Sequence, residues 1–156
     1  MSGCRSGRAP HRSAERGGLG LPVLLLLVLA AAFVWLLVAS EALPDGPLDV
    51  VWDKSPCAEC SMHVGDPAFA AQAITASGTV LYFDDPGCWF LYQQDSVEEF
   101  HAVWFHHLRE DRWLPLDAVA FVPADDTPMG FGIGAVDPGE VDVMDAETAR
   151  RRVLKP

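Results

Sequence analysis

The chain of 156 residues carries 22 acidic against 11 basic side chains, a formal net charge of −11 at pH 7, and half of its residues are hydrophobic. Twenty-one of the acidic residues but only seven of the basic ones follow Ser40, which leaves that portion at −14. Such a surface repels nucleic acid and anionic lipid headgroups, so neither is expected as a partner; solubility accounts for it, and it can also concentrate cations or steer a basic partner patch.

Residues 1–18 are small, polar and basic, with Arg5, Arg8, Arg12 and Arg16 against Glu15, and read as a cytoplasmic flank. Residues 19–39 contain no charge over 21 positions, enough at about 1.5 Å per residue to cross a hydrocarbon layer of about 30 Å. Pro22 falls in the first turn, where a missing N–H costs least, and Trp35 lies where an indole favours the interface. A cleaved signal peptide, cut near Val38-Ala39-Ser40 or Ser40-Glu41-Ala42, is the competing reading; the apolar run exceeds the roughly 7 to 15 residues of a signal core, so a retained anchor is expected. With the basic flank before the span, the N-terminus stays in the cytoplasm and the acidic body is exported to the outer face of the cell membrane as a single-pass protein. No cysteine directly follows the apolar run, which disfavours lipoprotein processing.

Residues 40–56, with Pro44, Gly46, Pro47 and Pro56, read as a linker interrupted by a short apolar piece, Val50-Val51-Trp52, that can tack onto the fold, and 57–156 as one exported domain. Phe69 to Ile74 and Val80 to Phe83 flank Ala76-Ser77-Gly78 and predict a hairpin. Asp84-Asp85-Pro86-Gly87 stops the strand, with Asp85 as N-cap and Pro86 as first residue of a helix from about Cys88 to Gln94. Ser96-Val97-Glu98-Glu99 has capping-box form and predicts a short helix start, with Ala102 to Leu108 either its continuation or a strand. A turn at 109–112, a strand over Ala118 to Val122, a Gly-rich segment Pro128 to Gly132 and a final helix capped by Asp145 complete the chain. The pattern predicts a small α+β fold, with two strand–strand–helix halves from Phe69 to Gln94 and from Ala118 to Leu154.

The chemistry concentrates in Cys57-Ala58-Glu59-Cys60-Ser61-Met62-His63, a soft donor set suited to Cu(I) or Zn(II) rather than Mg(II) or Ca(II). Cys57 and Cys60 either ligate a metal or form a disulfide, structural or redox-active; the prolines around them argue against the long helix of a thioredoxin-like site. Ser61 occupies the place where covalent haem attachment needs His. Three exported cysteines, Cys57, Cys60 and Cys88, leave at least one free, metal-bound or paired elsewhere, while Cys4 stays in the reducing cytoplasm. Met62 favours Cu(I) over Zn(II), Met129 between Pro128 and Gly130 is a second thioether candidate with little packing around it, and Met144 is explained as a staple beside the Asp145 cap. His63 is either a ligand or an exposed imidazole; His101, His106 and His107 read as solvated, with at most one of the last two able to join His101. Asp84 and Asp85 lack a nucleophile arrangement for hydrolysis, so no enzyme activity is expected.

Cys57-x-x-Cys60-x-Met62-x-Val64, Phe69-x-x-Gln72, Phe83-Asp84-Asp85-x-Gly87-Cys88, Trp113-x-x-x-Asp117-Ala118 leading to Phe121-Val122, and Pro128-Met129-Gly130-Phe131-Gly132 follow one another in an order that resembles the nitrous oxide reductase accessory protein family, NosL. The resemblance covers roughly Cys57 to Val136. It implies two small related ββαβ halves, a Cu(I) metallochaperone, and delivery to an apo cuproenzyme outside the cytoplasm, in the best-known case nitrous oxide reductase of denitrification. It makes Cys60 and Met62 the leading ligands with Met129 from the distant segment, places Cys88 beside the site, and turns Ala102 to Leu108 into a strand. Departures are the transmembrane anchor in place of an acylated cysteine, Pro86 inside the FDDxGC motif, Trp89 after it, and His107 where an Asp is common. A membrane-anchored thiol-disulfide oxidoreductase using Cys57 and Cys60, and a structural subunit of an electron-transfer complex, are the alternatives from other classes.

Overall fold

The computed structural model describes residues 20–40 and 43–155, in two compact units divided after Ala42. The basic flank, Cys4 and the positions 41–42 of the alternative cleavage site lie outside the described residues. In the first unit, α1 (Gly20–Ser40) is apolar and exposed along Gly20–Leu37, and is long and apolar enough to span a membrane.

The second unit is a mixed α and β fold with two small sheets. β1 (Ala71–Thr75), β2 (Val80–Phe83), β3 (Phe100–His106) and β4 (Trp113–Pro115) form an antiparallel sheet in the order β2-β1-β3-β4, and β5 (Ala120–Pro123) pairs antiparallel with β6 (Ile133–Val136). The Ala71-to-Phe83 hairpin follows the sequence expectation, with Gly78 at φ 88° supplying the left-handed turn. α2 (Pro86–Asp95) begins as expected, Asp85 capping it through Gly87 N–H at 2.8 Å and Pro86 in its first turn. α3 (Ala146–Val153) starts at Asp145, whose carboxylate accepts from Thr148 N–H at 2.7 Å.

One sequence expectation is corrected and two are extended. Ser96 does not start a helix: its N–H bonds to Tyr92 O and closes α2, its Oγ holds Glu98 N–H, and the chain enters β3 at Phe100, the strand that the resemblance implied. The 43–56 linker is more than a spacer, because the buried Gln72 amide grips both Leu48 N–H and Leu48 O while Val50 and Trp52 pack on the core. All five β1 residues are buried without the alternation of a half-exposed strand, as fits a strand inside the sheet with Ala71 and Ala73 in the core. Met144 lies antiparallel to Phe121, giving and receiving backbone hydrogen bonds of 2.7 and 2.8 Å, and extends the small sheet by one residue.

An aromatic cluster ties the layers. Phe90 of α2 meets Phe105 of β3 and Phe121 of β5, and Phe105 and Phe121 stand edge to face at 5.0 Å between centroids. Each such pair contributes about 0.5–1.5 kcal/mol beyond burial alone. The backbone joins the sheets at the same level, where Leu108 N–H reaches Ala135 O at 2.7 Å.

Candidate metal centre

The loop holding Cys57 and Cys60 is shaped by its own backbone. Asp53 N–H bonds to Val64 O and Val64 N–H to Ser55 O; Cys57 N–H then reaches Met62 O at 2.7 Å, and Ser61 N–H reaches Cys57 O at 2.9 Å. Ser61, at φ 63°, makes the left-handed turn that folds Met62 back over Cys57. Ala58 N–H donates to Tyr82 O at 2.8 Å, which docks the loop on the free edge of β2.

That docking brings the loop against the first turn of α2. The sulfurs of Cys57, Cys60 and Cys88 all lie within 4.8 Å of one another. All three are free thiols; Cys57 and Cys88 are buried and Cys60 is partly exposed. The Cys88 thiol beside it, followed by the N–H groups of Cys60, Asp84 and Glu59, brings Cys57 down to about 5 against the opposing effect of burial. Cys88 is held well above the usual thiol range by the neighbouring Cys57 sulfur and by burial, and burial raises Cys60. A single buried thiolate flanked by two protonated thiols is a compact soft donor set.

Asp84 and Asp85 hold this arrangement from two sides. Asp84 Oδ1 accepts from Gly65 N–H at 3.0 Å, fastening the end of the cysteine loop. Asp85 caps α2 with Oδ1 and accepts from Met129 N–H with Oδ2 at 3.2 Å, fastening the Gly-rich segment to the helix that carries Cys88. Burial raises the pKa of both carboxyls. Gly87 completes the lock: a Cβ there would lie 2.1 Å from Cγ of Phe131, so only glycine lets the Phe131 ring lie against the helix. The FDDxGC and PMGFG segments are thus two halves of one contact.

Of the residues singled out in the sequence, Cys57, Cys60 and Cys88 are brought together. Met62 is 54% exposed on the turn just after Cys60, and His63 is exposed next to it, its backbone bridged to Pro56. Met129 is partly buried and packs against the hydrophobic core, contrary to the expectation of little packing around it. His101 is exposed, but His106 and His107 are buried, at 5% and 2%, and not solvated. The two rings have separate partners, His106 meeting Trp113 and Asp111 and His107 facing Asp137 and Glu140.

His107 belongs to a second group of metal-ligand type with Asp137 and Glu140, which the sequence reading missed. Its Nε2 is buried, without a hydrogen-bond partner among the described residues, 3.7 Å from Asp137 Oδ2 and 3.6 Å from Glu140 Oε1. Both carboxylates already face guanidinium groups, Asp137 that of Arg112 and Glu140 that of Arg109. Nδ1 of His107 accepts from Arg109 N–H and Glu110 N–H at 3.1 Å each, which puts the ring proton on Nε2. A cation on Nε2 would have to displace that proton and reverse a ring held by two backbone donors. Metal-ligating histidines have the opposite arrangement, donating from their second nitrogen.

No family model matches this chain, and no curated protein or solved structure matches it. The reading of the centre therefore rests on its own geometry: three soft donors converge on one point at the edge of the second unit, and a harder, charge-compensated group lies elsewhere in it.

Proposed function

We propose that the protein is a membrane-anchored Cu(I) metallochaperone of the NosL kind that its motifs resemble, and not an enzyme. The observation that supports this best is the convergence of Cys57, Cys60 and Cys88 sulfurs within 4.8 Å. Thiolates and thioethers prefer Cu(I), and a three-sulfur site with one partly exposed member suits a cargo that must be both held and released. Cys57 and Cys88 form the buried floor, and Cys60 with the exposed Met62 forms the exchange face. Met129, tied to Asp85, supplies a further thioether from the Gly-rich segment, and His63 stands beside the exchange face as an imidazole donor. Delivery is ligand exchange: a thiolate or imidazole of the apo cuproenzyme binds the copper as Cys60 lets go, with no change of oxidation state.

In this reading β1-β2-α2 and β5-β6-α3 are the two related halves, the first completed by β3. α1 holds the domain at the outer face of the cell membrane with the N-terminus in the cytoplasm, and nitrous oxide reductase is the client that the resemblance points to. The test is an anaerobic Cu(I) titration of the reduced full-length chain in detergent micelles against a chromogenic chelator, beside Cys60→Ala and Met62→Ala. One copper per chain, lost or strongly weakened in both variants, is the expected result. No copper bound, with Cys57 and Cys60 cycling between dithiol and disulfide, would replace the chaperone by a thiol-disulfide oxidoreductase.

A further inference from the structure

We propose that the cleft between the free edge of β3 and the Pro115 to Asp117 turn is a docking surface for an extended, lysine- or arginine-bearing segment of a partner protein. β4 pairs with Trp104, Phe105 and His106, so among the described residues the outer edge of β3 from Phe100 to Val103 has no strand partner, while β1 covers its other edge. A cleft of about 590 Å³ opens along this edge. Trp89, Phe100, Trp104 and Leu116 line it together with the exposed His101, and Asp45 and Asp117 contribute its two acidic side chains, both exposed. Neither carboxylate has an ion-pair partner among the described residues.

These features call for complementary parts of one occupant. A basic side chain lays its methylene stem on the aromatic wall and places its charge at Asp45 or Asp117. An extended main chain pairs with the unpartnered edge of β3. An acidic segment is repelled, and an uncharged one leaves two carboxylates poorly solvated without recompense. The charge of −14 after Ser40 steers the same kind of partner from a distance. No residue of the cysteine loop lines the cleft, so this surface stands whether or not the thiol centre carries copper.

The test uses the full-length chain in nanodiscs of zwitterionic lipid, with a capped octapeptide alternating lysine and valine and its glutamate and valine counterpart as probes. Calorimetry gives affinity, and hydrogen exchange read by mass spectrometry gives the footprint. The lysine peptide is expected to bind and to slow exchange in the 100–103 stretch. Asp45→Asn with Asp117→Asn should weaken it by about fivefold or more, as loss of two partly exposed ion pairs implies, whereas Asp125→Asn with Asp126→Asn, which removes equal charge outside the cleft, should change it less than about twofold. Equal weakening in both double variants, protection outside the cleft, equal binding of the glutamate peptide, or no binding at all would overturn the proposal. Unchanged exchange in the rest of the domain checks that each variant is folded.

Discussion

The three-cysteine centre and the His107 group are both tight clusters of metal-ligand side chains, and they differ in what already satisfies them. Around Cys57, Cys60 and Cys88 no cation compensates the thiolate; its stabilisation comes from a neighbouring thiol and from backbone N–H groups. Around His107 every charge has a counter-charge, with Arg112 on Asp137 and Arg109 on Glu140, and Nδ1 is occupied by two N–H donors. Proximity of ligand atoms alone does not distinguish the two; the donors' existing partners do. The first cluster is poised to gain a soft cation, while the second joins the β3–β4 turn to the segment after β6.

Removing one member of each cluster separates the two most strongly. Cys88→Ser should lower Cu(I) affinity by more than about 100-fold, because it takes away one of the two buried sulfurs that form the floor of the site. His107→Gln should leave copper affinity within about twofold, yet lower stability by roughly 1–3 kcal/mol, since a buried, hydrogen-bonded ring is lost. Chelator competition and thermal melting of the two variants read both quantities. Copper loss in His107→Gln at unchanged stability would assign the cargo to the wrong cluster.

Proton linkage gives the next effect. At pH 7 Cys57, titrating near 5, is already a thiolate, whereas Cys60 and Cys88 are shifted upward and hold their protons. Copper held by all three then releases about two protons, and apparent affinity rises by up to about 100-fold per pH unit. As pH falls through about 5, Cys57 takes up a proton as well and the dependence steepens to about three protons. The thiolate absorbance near 240 nm in the apo protein should show a single low-pH step that Cys57→Ser abolishes. A pH-independent affinity between 6 and 8 would mean that only Cys57 among the thiols binds.

The elements were legible where local chemistry decides them: the hairpin from its Ala-Ser-Gly turn, α2 from Asp85-Pro86, α3 from Asp145. The cysteines were legible as ligand types, but their convergence depends on Ala58 docking to Tyr82 across the chain, which spacing does not encode. Ser96 misled because its hydroxyl serves the end of one helix as readily as the start of another, and the following residues pair with β1 instead. His106 and His107 read as solvated because their partners, Asp111 and Asp137, include one 30 residues away and on the other sheet's side of the chain. Asp84 and Asp85 were visible as a cap and its neighbour, not as the fasteners of two separate loops.

The smallest effect probes how the distant Gly-rich segment reaches the centre. Gly87 has no left-handed backbone to explain it; its requirement is space, because Cγ, Cδ2 and Cβ of Phe131 would all lie within 2.6 Å of an added methyl. Gly87→Ala must therefore push the Phe131 ring, and with it the neighbouring Met129, away from α2. Overpacking of this kind costs about 1–3 kcal/mol, which a denaturant titration resolves. The loop of Cys57 and Cys60 is fastened separately, through Gly65 to Asp84, so copper should remain bound with affinity reduced by only about tenfold if Met129 contributes and not at all if it does not. A second substitution, Phe131→Ala, removes the clash and should restore part of the stability lost in Gly87→Ala. Copper affinity that follows the position of Phe131 across these variants assigns Met129 to the centre, and affinity that ignores it confines the site to the three thiols.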